Sequence, residues 1–246
     1  MKKNERNVDV TVPTVFNPGK THPLSRCIND LKDIMNLGGL IEETGPVIED
    51  EEHNFDALNV DTMHPARDMH DTFYLPGALL LRTHITPVSV RVLESRKYRP
   101  PFGIYTLGRV YRNDSDRTHS PMFHQMDALC VGDFSFGHLK GMVEHILANL
   151  FNSEIQFRFR PSYFPFTEPS TEIDIMDKNI GGNWMEVIGG GMFRKNILER
   201  YGYGGYNAYA FGLGVERIAM LRDGIENIND LYKNRFHFLK EKGVPL

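Results

Sequence analysis

The sequence predicts an α+β fold, an antiparallel sheet flanked by helices, and three observations predict it. Two pairs of stretches alternate apolar and polar residues on either side of a polar loop, as hairpins do: 105–111 with 123–131, and 171–176 with 183–188. Two other stretches, 22–37 and 135–151, repeat apolar residues every three or four positions, as helices with one buried face do. Residues 208–214, small and aromatic with glycines at the end, run directly into the helical pattern of 215–221. At 246 residues and 41% hydrophobic, the chain can bury a large core. Its formal charge of −4 argues against a general nucleic-acid coat but leaves docking of RNA on a local patch open. Cys27 and Cys130 show neither metal spacing nor a disulfide framework, which points to a reducing compartment. No run reaches transmembrane length and the start is polar, so a soluble, cytoplasmic chain is expected, with no membrane partner.

In chain order, residues 1–21 form a polar lead-in in which 8–12 alternates like an edge strand, and the folded domain occupies 22–246. Pro23 suits the first turn of a helix that Gly38 and Gly39 end. Residues 40–49 read as a strand interrupted at Gly45-Pro46. His53, His64 and His70 lack regular metal spacing. Residues 79–87 read as a buried strand ending in polar groups, with Pro87 opening a helix over 88–94. A strand over 155–159 leads into 160–170, where three prolines exclude a helix. Gly189-Gly190-Gly191 lets another group approach the backbone closely. Residues 192–201 and the amphipathic tail 228–242 are expected to be helical.

The chemistry concentrates on the first hairpin. It presents Arg112 where one strand ends, and His119, Phe123 and Gln125 where the next begins. A guanidinium clamps phosphate with two parallel hydrogen bonds and keeps its charge, and a phenyl face stacks on a purine. An ordinary surface hairpin explains the same pattern. Arg217 falls in the first turn of a helix, where a cation gains nothing from the helix dipole, and this suggests an anionic partner. Phe164 and Phe166, separated by Pro165, point to one side of an extended chain and suit either core packing or an aromatic wall. His84 and Thr86, at a strand-to-helix junction, suit either a cleft wall or a structural role.

The stretches GRVYR…THSPMFHQ, FPFTEPS and AFGLGVERIAML resemble the class II aminoacyl-tRNA synthetases. Together with NFDALN, HPARDMHDTF, LLLRTH and RPSYFPFTEPS they resemble, within that family, the bacterial phenylalanyl-tRNA synthetase α subunits. The similarity runs from about Asp9 to the C-terminus. It implies an antiparallel sheet flanked by helices and ATP-dependent activation of phenylalanine for tRNA(Phe). It also implies Mg²⁺, and a β subunit or a second copy as partner. By this resemblance Arg112 holds the ATP α-phosphate, Phe123 stacks on adenine, and Arg217 faces the adenine's other side and the γ-phosphate. His119 lies near the leaving phosphates, Glu168 is the magnesium ligand, and Glu186 lies near the nucleotide. His84, Thr86, Gln125 and Asp127 surround the amino acid's ammonium and carboxylate. Phe164 and Phe166 grip the phenyl ring, and Ala210 and Gly212 form the pocket floor.

The sequence departs from the family pattern at four places. About twenty residues stand where a coiled-coil arm is usual. Asp127-Ala128 replaces Glu-Gly, shortening the carboxylate by one methylene. Met192-Phe193-Arg194-Lys195-Asn196 replaces Met-Val-His-Pro-Asn, adding positive charge. Tyr209 replaces Phe, bringing a hydroxyl near the pocket or toward solvent, and Ile85 replaces Thr. Three functions are consistent with this pattern: a synthetase subunit, a stand-alone ligase with a non-tRNA acceptor, and a regulatory module without catalysis.

Overall fold

The computed structural model describes residues 20–114, 120–151, 155–177 and 182–245. Nearly all of the lead-in, with its expected strand at 8–12, lies outside them. Strand β1 (Lys20–Thr21) leads into helix α1 (Pro23–Leu37). His22 caps this helix, its Nδ1 accepting the Leu24 amide at 3.1 Å, and Pro23 sits where a helix needs no amide. The 40–49 run is parted as expected at Gly45-Pro46, into β2 (Ile41–Glu42) and β3 (Ile48–Asp50). Helix α2 (Glu51–Asn54) follows, capped by Asp50. Strands β4 (Tyr74–Leu75) and β5 (Leu79–Leu81) join β3 in a small antiparallel sheet of order β3-β5-β4. The strand expected over 79–87 stops at Leu81. Beyond it the hydrogen bonds leave the ladder, Arg82 Nε donating to the Arg109 carbonyl, the Thr83 amide to Asn54 Oδ1 and Thr86 Oγ1 to Asp127, and α3 (Pro87–Ser95) then begins at its proline.

The main sheet is built from β6 (Phe102–Tyr111), β7 (Met122–Gly132), β8 (Phe157–Phe164), β9 (Thr167–Asp177), β10 (Asn183–Phe193) and β11 (Asn207–Gly214), with β2 added at one end. The order is β2-β6-β7-β11-β10-β9-β8, and of its pairings β2–β6 alone is parallel. Helix α4 (Phe136–Phe151) crosses between β7 and β8, α5 (Lys195–Arg200) follows β10, and α6 (Val215–Asp223) follows β11 without a linker. The chain ends with α7 (Phe236–Lys242) and β12 (Val244–Pro245), which pairs with β1.

Alternation along the strands divides the sheet into two faces. Met126, Cys130, Tyr209, Phe211, Leu213, Ile173 and Ile175 pack against α1, α4 and α6. Tyr209 therefore belongs to the core, edge-on to Phe134 at 5.4 Å, and reaches neither pocket nor solvent. On the other face Leu129, Val131, Ala208 and Ala210 pack with residues of α3 and α5. The remainder of that face carries Gln125, Asp127, Gly212 and Gly189 and forms the floor of a cavity.

Three expected elements differ in extent. Residues 192–193 complete β10 rather than opening a helix, because Phe193 pairs with Thr167 and is buried; the helix starts at Lys195. The strand expected at 155–159 is β8, which continues through Pro161 because β8 is an edge strand whose outer side needs no amide. The tail is broken rather than one helix: a 3-10 turn at Ile228–Leu231 is separated from α7 by Asn234, whose φ is +47°. Gly190 shows why glycine is needed in β10. A Cβ there would lie 2.6 Å from the Ala210 carbonyl oxygen and 2.8 Å from Phe211 Cβ. Gly190→Ala is expected to cost about 1–3 kcal/mol and to lower the melting temperature by roughly 2–10 °C, measured by thermal unfolding.

Candidate active site

The cavity has a volume of about 720 Å³, within the range of ligand sites. It is lined by Arg112, Phe123, Glu186 and Arg217, and by His84, Thr86, Gln125, Asp127, Phe164, Phe166, Ala210 and Gly212. These residues come from the end of β6, from β7, β8, β10, β11 and α6, and from the β5–α3 junction and the β8–β9 turn, so the fold gathers segments far apart in the chain. His119 lies outside the described residues. Glu168 does not line the cavity: its side chain is 71% exposed and pairs with Arg194 at 2.8 Å.

Arg112 follows the last residue of β6, and its Nε donates to the Thr83 carbonyl at 3.0 Å. Its guanidinium lies 5.2 Å from the Phe123 ring centroid, which fixes cation and ring side by side. Burial, and then the like charge of Arg217, lower the Arg112 pKa. Two guanidiniums that repel each other in a partly dry site favour an anion between them. Arg217 Nη1 donates to the Glu186 carbonyl at 3.0 Å, which ties α6 to β10. Burial, followed by the charge of Glu172, raises the Glu186 carboxyl above its usual range.

Asp127 stands opposite Gly212 in the β7–β11 ladder, and a Cβ on Gly212 would lie 2.4 Å from Asp127 Oδ1. Thr86 Oγ1 donates to Asp127 Oδ2 at 2.5 Å, while Oδ1 is buried without a partner among the described residues. Burial pushes the Asp127 carboxyl up to about 7, against the opposing pull of Thr86, Arg112 and Arg82. His84 Nε2 donates to the Asn54 carbonyl at 2.9 Å. Burial, then Arg112, hold the His84 pKa down to about 4, so the ring is neutral and Nδ1 is an acceptor. That Nδ1 and Gln125 Oε1 are also buried and without a partner among the described residues. Three unmatched acceptors on one cavity wall suit a ligand with several N–H donors, such as an ammonium group.

The aromatic wall is continuous. Phe164 and Phe166 stack at 6.0 Å and 21°, His84 stacks on Phe166 at 6.3 Å and 23°, and Phe193 packs behind Phe166 at 6.3 Å. The Phe164 ring rests on Gly189, where a Cβ would come within 2.7 Å of its Cζ. Of the positive charge expected from 194–195, that of Arg194 is paired with Glu168, while Lys195 Nζ donates to the neutral Tyr206 carbonyl at 2.7 Å. Ile85 is fully buried with Val88 and Val110.

Some residues that shape the site were not singled out from the sequence. Asn54, fully buried, binds both the amide and the hydroxyl of Thr83 and also receives His84, so a single side chain and its own carbonyl set the junction that holds Arg112. Arg82, 3% exposed, donates to the carbonyls of Arg109, Gly45 and Pro46. Both lie within the quoted motif strings, Asn54 in NFDALN and Arg82 in LLLRTH, but the strings assign no role to either. The structure also groups Glu49, Asp50 and His53, whose ligand atoms lie within 4.8 Å of one another, although no sequence spacing marks them. Arg91 occupies Glu49 with two hydrogen bonds. No helix among the described residues is long and apolar enough to cross a membrane.

Residues 7–242 match the family model described as "tRNA synthetases class II core domain (F)". The phenylalanine–tRNA ligase alpha subunit of Tolumonas auensis is 48% identical over 238 residues, covering 95% of this chain and 72% of that protein. This chain belongs to the phenylalanine–tRNA ligase alpha-subunit family. Other alpha subunits agree: that of Alteromonas mediterranea is 47% identical over 244 residues, covering 98% of this chain and 74% of its own length. The fold extends further than the family. The crystal structure of pyrrolysyl-tRNA synthetase from Desulfitobacterium hafniense superposes with a TM-score of 0.70 at 18% identity, covering 90% of this chain and 76% of that one. The antiparallel sheet with flanking helices is thus the class II synthetase fold, as the sequence led one to expect.

Proposed function

We propose that this alpha-subunit chain joins phenylalanine to AMP, using ATP and releasing pyrophosphate, and with a beta subunit passes the phenylalanyl group to tRNA(Phe). Residues 22–246 are the catalytic domain in this reading. The observation that carries it is the meeting, in one cavity, of the Arg112–Phe123 pair and Arg217 with an aromatic wall and three unmatched acceptors. The reaction is attack of the substrate carboxylate on the α-phosphorus, with loss of pyrophosphate. It needs no protein nucleophile, only two anions held in line and neutralised as charge builds. Arg112 and Arg217 hold the phosphates, and Phe123 stacks on adenine. Thr86, Gln125, Asp127 and His84 orient the ammonium and carboxylate groups. Phe164 and Phe166 flank the phenyl ring over Ala210 and Gly212.

Carboxylate oxygens suit Mg²⁺. Glu186, on the cavity wall, would hold it, whereas Glu168, the ligand the resemblance implies, would first have to release Arg194. When bound, the ion supplies further neutralisation of phosphate charge.

The test is phenylalanine-dependent ATP–pyrophosphate exchange with the purified chain, alone and with a beta subunit. Exchange only with the beta subunit supports the subunit reading. Exchange by the chain alone favours a stand-alone ligase with another acceptor. No exchange with any amino acid under either condition leaves a regulatory module.

A further inference from the structure

The β7–β11 ladder ends at the pair Gln125–Gly214, where β11 gives way to α6. His124 is the first β7 residue beyond that end, and the residue after it in the same direction is Phe123. An amide at such a point has lost its neighbouring strand and must find another acceptor. Glu216 provides it. Both carboxylate oxygens lie 2.9 Å from the His124 amide nitrogen, and His124 Nδ1 donates to Oε1 at 2.8 Å. Tyr232, from the segment after α6, donates its hydroxyl to the same oxygen. Burial, then the Glu216 charge, raise the Tyr232 pKa, so the phenol stays a donor.

Glu216 is 1% exposed. A buried carboxylate costs several kcal/mol unless its hydrogen bonds are complete, though its place in the first turn of α6 helps. The group bridges two parts of the proposed nucleotide site. Phe123 is next to His124 in β7, and Arg217 is next to Glu216 in α6. By strand alternation His124 lies on the helix-covered face, behind the face that carries Phe123 and Gln125. Ile228, at the start of the turn that carries Tyr232, itself lines the cavity.

We propose that Glu216 is a positioning residue that sets the distance between Phe123 and Arg217, and that Tyr232 holds it in place, making the C-terminal segment a determinant of nucleotide affinity. The proposal rests on the nucleotide reading given above. It predicts a selective effect: losing the bridge loosens the end of β7 and the start of α6, but leaves Asp127, Phe164 and Phe166 where they are.

The experiment measures equilibrium binding of ATP and, separately, of phenylalanine to the full chain, its Glu216→Gln variant and its Tyr232→Phe variant. Melting temperature and amide hydrogen exchange over 122–125 are recorded alongside. Tyr232→Phe keeps the packing and removes one hydrogen bond to a charged group, so ATP affinity is expected to fall by about 10-fold. Phenylalanine affinity stays within about twofold, as expected for a site this change leaves in place. Glu216→Gln is expected to weaken ATP more and to speed exchange over 122–125. Unchanged ATP affinity in Tyr232→Phe, while the parent chain binds ATP, overturns the proposal and leaves the nucleotide reading standing. Equal loss for both ligands, with a fall in melting temperature, also overturns it by showing general loosening. A parent chain that binds phenylalanine but not ATP ends both.

Discussion

Arg112→Ala is expected to lower ATP–pyrophosphate exchange by at least ~10²–10³-fold, the scale for removing one preorganised charge-stabilising donor. Among the described residues the side chain donates to the Thr83 carbonyl and lies beside Phe123. Its removal also relieves repulsion from Arg217, so the fold should survive, and circular dichroism with thermal melting checks this. Arg112→Lys keeps a charge but loses the planar fork, and intermediate exchange is expected. Full exchange in Arg112→Ala would mean that the phosphates are held elsewhere.

The second large effect concerns Asp127. An ammonium group pairs with the carboxylate, not the carboxylic acid. Because the free chain holds Asp127 at about 7, phenylalanine binding should tighten as pH rises through that value. Asp127→Asn should weaken it by ~30–1000-fold, the cost of truncating a buried charge pair, and abolish the pH dependence. Stability provides an independent check. Asp127 has a folded pKa above its unfolded value, so between about 4 and about 7 the folded chain binds the extra proton. Its contribution is therefore lost as pH rises through that window. His84 acts oppositely: its folded pKa is depressed to about 4, so its contribution is present above its ordinary value and is lost as pH falls toward 4. Melting curves of parent and Asp127→Asn across pH should show the variant gaining on the parent as pH rises. Parallel curves would place the titration on another group.

The strands, the long helices and most cavity residues were legible because local patterns and motif strings report them. The β6–β7 hairpin alternates in apolarity, and β11 runs into α6 with nothing between. What the sequence concealed depends on partners remote in the chain. Phe193 reads as helical until its pairing with Thr167 draws it into β10. The tail keeps a helical apolar period, yet Asn234 adopts a left-handed backbone that no periodicity reveals. Tyr209 looked like a pocket residue because it adjoins Ala210, but adjacent residues on a strand face opposite ways. Asn54 could not be recognised as the support of His84 and Thr83, since its partners lie about thirty positions away.

Strand β10 serves both halves of the cavity within four residues. Glu186 lines the part that the proposed function gives to the phosphates, Gly189 lies beneath the Phe164 ring, and a bulge falls between Glu186 and Ile188. A drift in selectivity that displaced this strand to reshape the phenyl recess would drag the triphosphate grip with it. In the proposed function, freedom to recognise another side chain therefore resides mainly on the neighbouring strand at Ala210, since any side chain at Gly212 would press on Asp127 and Gln125.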